Sequence, residues 1–375
     1  MKKVSIYIHV PFCVQKCLYC DFLSFDNQRG DIPSYVDRLR MEIEEKKQDV
    51  AGRKIHTVYF GGGTPSLLSG DAIKSILGSL RSFGSWDGTE EITLEANPGT
   101  LTKRKIEGYL EAGVNRFSLG LQSAIDAELK AIGRIHTFAD FESTMDQMRR
   151  MGCDNISVDL MTGLPGQSLE SFQKGFQKVM AWKPEHLSCY GLTVEEDTPL
   201  HEMVESGQVE LRDDLEREMH EWLLEEMDRI GYDHYEISNF SLPHHQSRHN
   251  NIYWSMGDYL GLGLGASSFM DGTRYRNTRK MSRYLEGVPL IPEEVVILDE
   301  KAWKEEWMFL GLRVMKGVSR REYVGRFHIT LEEDYGPVIE TLRNQGLLEV
   351  DEIGIRLTKT GLTFANKVFR AFLLD

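Results

Sequence analysis

The chain has 375 residues, a formal net charge of −14, 41% hydrophobic residues and 27% charged residues. That length holds one large domain with room for a small second one, and the composition is that of a globular protein. The acidic balance argues against a protein that grips nucleic acid, and no run approaches the ~18 consecutive apolar residues of a membrane helix.

Lys2 and Lys3 precede a short apolar run that His9 and Pro11 interrupt, with no small-residue cleavage site. No signal peptide is expected, and a cytoplasmic location is, where thiols stay reduced. Val4 to Val10 reads as a strand that Pro11 stops. Cys13, Cys17 and Cys20 follow on the loop, so three of the five cysteines fall within eight residues, spaced C-x3-C-x2-C. Three thiolates on a loop can wrap one small object. An iron–sulfur cube held by three cysteines keeps one iron open. A zinc site completed by His9 is the alternative, although zinc signatures usually come as two separated ligand pairs.

Pro33 to Val50 has the period of an amphipathic helix. Ile55 to Phe60 is a strand ending in Gly61-Gly62-Gly63-Thr64-Pro65, and a helix starts near Asp71. The pattern repeats: a strand over Ile92 to Glu95, a helix capped by Thr102, a strand over Arg116 to Leu121, and helical segments to Arg150. Then come a strand over Asn155 to Leu160, a helix over Leu169 to Met180 and a strand over His186 to Leu192. About six strand–loop–helix units predict an α/β fold with a parallel sheet, read as a six-unit partial (β/α) barrel. Ligands gather at the carboxyl ends of such strands. The cysteine loop, Gly61 to Thr64, Glu95, Gln122 and Asp159 all lie there.

The core is expected over residues 1–235, a connecting region over 236–297 and a C-terminal domain over 298–375. That last unit reads as helices followed by a hairpin, Leu347 to Leu357, then a final helix from Thr360 to Leu373. Its shape is winged-helix-like, and its balanced charge gives no basic footprint for DNA. Cys153 and Cys189 read as buried core thiols.

C-x3-C-x2-C with Tyr19 before the last cysteine resembles the motif of radical S-adenosylmethionine (SAM) enzymes. IHVPFCVQKCLYCDF resembles one branch, oxygen-independent coproporphyrinogen oxidase and the HemW family of haem chaperones. The resemblance implies a [4Fe–4S] cluster on Cys13, Cys17 and Cys20, with SAM on its open iron. It further implies that Tyr7 stands beside that SAM and that Gly62, Gly63 and Thr64 contact it. Glu95 would lie near the methionine amino group, Arg134 on the carboxylate, Gln122 as a further contact and Asp159 on the ribose. Taken singly, Glu95 and Asp159 also read as strand-end acids, Arg134 as a solvated charge and the glycines as a bare loop.

Two departures from the oxidase are visible. Cys20 is followed by Asp21-Phe22-Leu23 where the oxidase has a further cysteine, and no extension is read before Val4. His249-Asn250-Asn251-Ile252-Tyr253-Trp254 fits H-N-x-x-Y-W, similar to the haem-binding motif of the chaperones. It implies His249 as an axial haem ligand. On chemistry alone His249 also reads as a structural contact, or as a zinc ligand with His244 and His245. The expectation is a haem carrier that also binds a [4Fe–4S] cluster and SAM. By resemblance its partners are haem and haem-accepting respiratory proteins, with transient membrane contact; a homodimer stays open. The rival is oxidative decarboxylation of coproporphyrinogen III.

Overall fold

The structure is a computed structural model that describes residues 1–287, 289 and 291–374. Six units run in order: β1 (Lys3–Val10), α1 (Ile32–Lys46), β2 (Lys54–Gly62), α2 (Gly70–Leu80), β3 (Glu91–Ala96), α3 (Lys103–Ala112) and β4 (Arg116–Gln122). There follow α4 (Asp126–Ala131), α5 (Phe138–Arg150), β5 (Ile156–Thr162), α6 (Leu169–Met180) and β6 (His186–Gly191). All six strands are parallel neighbours in chain order. Both faces are covered although the residues alternate in character: β4 is buried at every position, Phe117, Leu119 and Leu121 joining the hydrophobic core while Arg116, Ser118 and Gln122 are buried polar groups. The helices start where short polar side chains can cap them. Ser69, Thr102, Thr137 and Ser168 each accept a hydrogen bond from the first turn of the following helix, and Thr137 and Ser168 complete capping boxes.

Beyond α7 (Pro199–Glu205) and α8 (Asp213–Arg229), the stretch 236–297 does more than connect. β7 (Asp233–Glu236) and β8 (Asn239–Ser241) add antiparallel strands beside β6. After α9 (Arg248–Trp254), β9 (Tyr259–Leu262) pairs parallel with β1 at the opposite edge. β10 (Ser267–Met270), β11 (Thr273–Arg276), α10 (Met281–Leu285) and β12 (Glu293–Ile297) extend that edge. The sheet of described residues reaches twelve strands, ordered β12-β11-β10-β9-β1-β2-β3-β4-β5-β6-β8-β7.

The C-terminal unit packs α11 (Glu300–Gly311), α12 (Arg320–Phe327) and α13 (Leu331–Asn344) against a small sheet of β13 (Val318–Ser319), β14 (Leu348–Val350) and β15 (Gly354–Leu357). This is the helices-then-hairpin shape the sequence suggests. The final helix is broken at Phe364 into α14 (Lys359–Thr363) and α15 (Ala365–Ala371). The unit has its own core, with Met308, Tyr323, Leu331 and Tyr335 buried. It is tied to the sheet edge by backbone bonds: Ile237 N donates to Arg313 O and Met315 N to Tyr235 O, each at 3.0 Å. Among the described residues no helix is long and apolar enough to cross a membrane.

Candidate cluster and cofactor site

The cysteine loop leaves the end of β1 and is pinned by its own backbone. Cys13 N donates to Phe25 O at 2.9 Å, and Leu18 N donates to Ile132 O at 3.1 Å. Cys13, Cys17 and Cys20 line one end of a cavity of about 400 Å³ at the carboxyl ends of the strands. Gly62, Gly63, Thr64 and Glu95, from the ends of β2 and β3, form one wall. Gln122, Asp159 and Arg134 line the same cavity. The eighth expected residue, Tyr7, is not in this cavity: it lines an adjoining one and bonds to His9 Nδ1 at 3.0 Å. Cys153 and Cys189 are buried in the core, as expected.

Burial raises the thiols of Cys17 and Cys20 above their ordinary range, Arg134 partly opposing it at Cys17. Such thiols hold their protons until a metal displaces them. Thr64 Oγ1 donates to Cys13 Sγ at 3.6 Å. The zinc alternative meets an obstacle at His9. Its Nε2 lies 2.8 Å from Leu23 O and its Nδ1 faces Tyr7, so both ring nitrogens are engaged. Among the described residues no three His, Cys, Asp or Glu side chains converge on one ion position. A cube, which spreads its ligands over several irons, needs no such convergence.

The glycines do steric work on the protein itself. A Cβ at Gly62, where φ is +113°, would sit 2.6 Å from His9 Cε1; one at Gly63 would sit 2.8 Å from Phe12 O. Their bareness lets the end of β2 press against the cysteine loop.

Glu95 accepts from Tyr59 Oη at 2.7 Å and from Gly62 N at 3.2 Å. Burial first, and the nearby Asp159 charge, push its carboxyl up to about 7. Burial also raises Asp159, which accepts from Ser118 Oγ at 3.2 Å. Two buried carboxyl groups lining one cavity are costly without a positive or hydrogen-bonding occupant. Arg134 donates to Asn97 Oδ1 at 2.9 Å and to Tyr19 Oη at 3.1 Å, while its Nε is buried without a partner. That orphaned donor, the raised acids and the open thiols fit a polar, zwitterionic molecule laid against a cluster. Gln122 stands at φ +71°, where the β4–β5 register shifts. Tyr59 and Asn97 escaped the sequence reading; their only signal was position, one within β2 and one just past β3.

The adjoining cavity, about 310 Å³, shares Tyr59, Glu95, Tyr190 and Asn250 with the first. His249, Tyr253 and Trp254 of α9 line it. His249 does not stand free on a loop. It is 0% exposed and stacks on Tyr59 at 5.0 Å. Its Nδ1 lies 2.7 Å from Thr57 Oγ1 and its Nε2 2.8 Å from Tyr253 Oη. The expected open nitrogen is therefore not presented, because the sheet beneath and the next turn of the helix take both. Nor does His249 join His244 and His245 at one ion position.

Residues 7–179 match the family model described as Radical SAM superfamily, and residues 298–364 the one described as HemN C-terminal domain. Similarity to curated proteins runs the whole length. The heme chaperone HemW of Lactococcus lactis subsp. lactis is 37% identical, over 100% of this chain and 98% of that protein. The chain belongs to the HemW family. HemW of Bacillus subtilis is 35% identical, over 98% of this chain and 99% of its own, and HemW of Escherichia coli 34%, over 99% and 98%. The fold is also that of the E. coli coproporphyrinogen III oxidase HemN, a radical SAM enzyme. That match has a TM-score of 0.85 at 20% identity, covering 99% of this chain and 90% of the oxidase. For a HemW-family chain, the radical SAM domain implies a [4Fe–4S] cluster and SAM.

Proposed function

We propose that this chain carries haem to acceptor proteins and holds a [4Fe–4S] cluster and SAM beside the haem seat. The single observation behind this is the placement of α9. The helix bearing the H-N-x-x-Y-W motif lines a cavity that shares walls with the cavity of the three cysteines. End-to-end similarity to heme chaperones supports the same reading.

In this reading Cys13, Cys17 and Cys20 hold three irons. Arg134 offers its unpaired Nε–H to the SAM carboxylate. Glu95 faces the amino group, Asp159 the ribose, and Gln122, Gly62, Gly63 and Thr64 close the cleft. Tyr7 acts from the adjoining cavity, fixing His9 beneath the cysteine loop. A reduced cluster of this kind can pass one electron to SAM; the chain's own residues bind, orient and exclude water. Haem sits against Tyr253 and Trp254, within the His249 network. The acceptors are respiratory proteins, met at a membrane surface from the cytoplasm.

The test is anaerobic purification followed by haem titration and transfer to a haem-free acceptor. About one haem per chain, with iron and sulfide retained, is the expected result. Turnover of coproporphyrinogen III to a vinyl product and carbon dioxide, with SAM and reductant, would replace the carrier by the oxidase. Colourless protein containing zinc would remove the cluster altogether.

A further inference from the structure

The glycine run Gly261, Gly263 and Gly265, between β9 and β10, lines neither cavity, yet α1, α10 and the end of β11 all close on it. Glu42 of α1 is 0% exposed. Its carboxylate accepts from Gly263 N at 2.9 Å, from Asn277 Nδ2 at 2.6 Å and from Tyr284 Oη at 2.7 Å. A carboxylate taken wholly out of water is tolerated where donors satisfy it in this way. Two turns earlier on α1, Tyr35 Oη donates to His9 O at 2.7 Å and accepts from Leu264 N at 3.0 Å. Gly263 is bare where these groups meet. At φ +99°, a Cβ there would sit 2.5 Å from Tyr35 Oη and 2.7 Å from His9 O. Gly265 N then donates to Thr278 O at 2.9 Å.

What this locked turn touches is the cysteine loop. Gly265, at φ +66°, lies against Leu23, and a Cβ there would collide with Leu23 Cδ2. Leu23 follows Cys20 by three residues, and its carbonyl accepts from His9 Nε2 at 2.8 Å. On the other side of Cys20 stands a matching prop. Gly133, at φ +75°, leaves room for Leu18: a Cβ would sit 2.9 Å from Leu18 Cγ. Leu18 N also donates to Ile132 O at 3.1 Å. Cys13 stands three residues past the end of β1 and takes its place from that strand. Cys20 takes its place from Leu18 and Leu23, each seated on a bare glycine from a distant part of the chain.

We propose that the turn Gly263 to Gly265, locked by Glu42 and Tyr35, is the positioning element for Cys20. It sets where the third thiolate meets the cluster, and through that the cluster's hold on iron and its reduction potential. This rests on the cluster reading above. Groups outside the ligand set orient the ligands of a metal centre, and the potential of an iron–sulfur cluster follows the surroundings of its sulfurs. A displacement of Leu23 is passed three residues back along the loop to Cys20. Glu42 and Gly265 touch neither cysteine nor cavity, so their effect on the cluster travels through Leu23 and His9.

The test uses the full chain, purified without air and carrying its cluster. Three readouts are taken: iron retention against a chelator, the paramagnetic resonance signal of the reduced cluster, and its midpoint potential. Glu42→Gln and Leu23→Ala should each hold iron about tenfold more weakly and shift both the signal and the potential. Gly265→Ala should do the same. Combining Gly265→Ala with Leu23→Ala sets a new methyl where one was removed, and the signal should return toward wild type, a non-additive outcome. Gly272→Ala is the control: it strains a turn at φ +81° against Trp303, away from the cysteine loop. It should lower the urea midpoint and leave the cluster signal unchanged. A signal that Gly272→Ala moves as far as Leu23→Ala does, or that Glu42→Gln and Leu23→Ala leave in place, overturns the positioning role alone. A wild type without iron and sulfide overturns the cluster reading and this role with it.

Discussion

Replacing Glu95 by Gln should stabilise the cofactor-free protein while weakening its site. In the folded chain the Glu95 carboxyl is raised from 4.5 to about 7. Below the ordinary range the group is protonated in both folded and unfolded chains, and its contribution to stability is fully present. As pH rises through the folded value, the buried group must ionise and that stability is lost. At 1.36 kcal/mol per pKa unit, the loss is about 3 kcal/mol. Glutamine cannot ionise, so Glu95→Gln removes the loss. It also places an NH₂ where Glu95 accepts from both Tyr59 Oη and Gly62 N, an opposition worth about 1 kcal/mol. The net gain is then about 2 kcal/mol near pH 8, becoming a small deficit near pH 4. Urea unfolding of both cluster-free proteins across that range, followed by circular dichroism, measures it. A difference between the two that does not change with pH would refute the argument. The same variant should bind SAM about tenfold more weakly, since the strained carboxylate is what a cationic or hydrogen-bonding ligand relieves.

Three further outcomes follow from the site. Cys17→Ser should abolish the iron and sulfide content of anaerobically purified protein, measured by colorimetric assay, with the far-ultraviolet spectrum unchanged. Gly62→Ala forces a Cβ to 2.6 Å from His9 Cε1 at φ +113°. It should cost about 1–3 kcal/mol of stability and lower cluster occupancy, read from the urea midpoint and the iron content. Arg134→Lys keeps the charge but cannot reach Asn97 and Tyr19 together. SAM affinity by calorimetry should fall about tenfold while iron content holds; equal affinity would discharge Arg134 from that role.

Much of this was legible locally. Strands β1 to β6 announce themselves as short β-type stretches ahead of turn residues, and Thr102 marks a helix start by its own chemistry. Placing Cys13, Glu95, Gln122 and Asp159 at strand ends sufficed to bring them to one cavity. What escaped depends on partners far away in sequence. β9 pairs with β1 across some 250 residues, Ser5 opposite Tyr259, and no local periodicity records that. The burial of His249 is of the same kind. Its two ring partners come from β2 and from the next turn of α9, and the sequence shows only a polar stretch. Tyr7 was expected beside the ligand of the cysteines but lines the adjoining cavity: it shares a face of the sheet with its neighbour Tyr59, which lines both, and face periodicity alone does not say how far along a strand a cavity reaches.

The seam between the sheet edge and the C-terminal unit has a mechanical consequence. Residues 313 to 315 hydrogen-bond along β7 and the turn after it, and the Arg313 guanidinium lies 4.5 Å from the centre of the Trp254 ring. The winged unit cannot swing outward without breaking those backbone bonds and stripping the cation from the indole. Undocking that unit and unroofing the aromatic chamber are thus one motion, so a protein that pulled on the wing would loosen the cargo it came to collect.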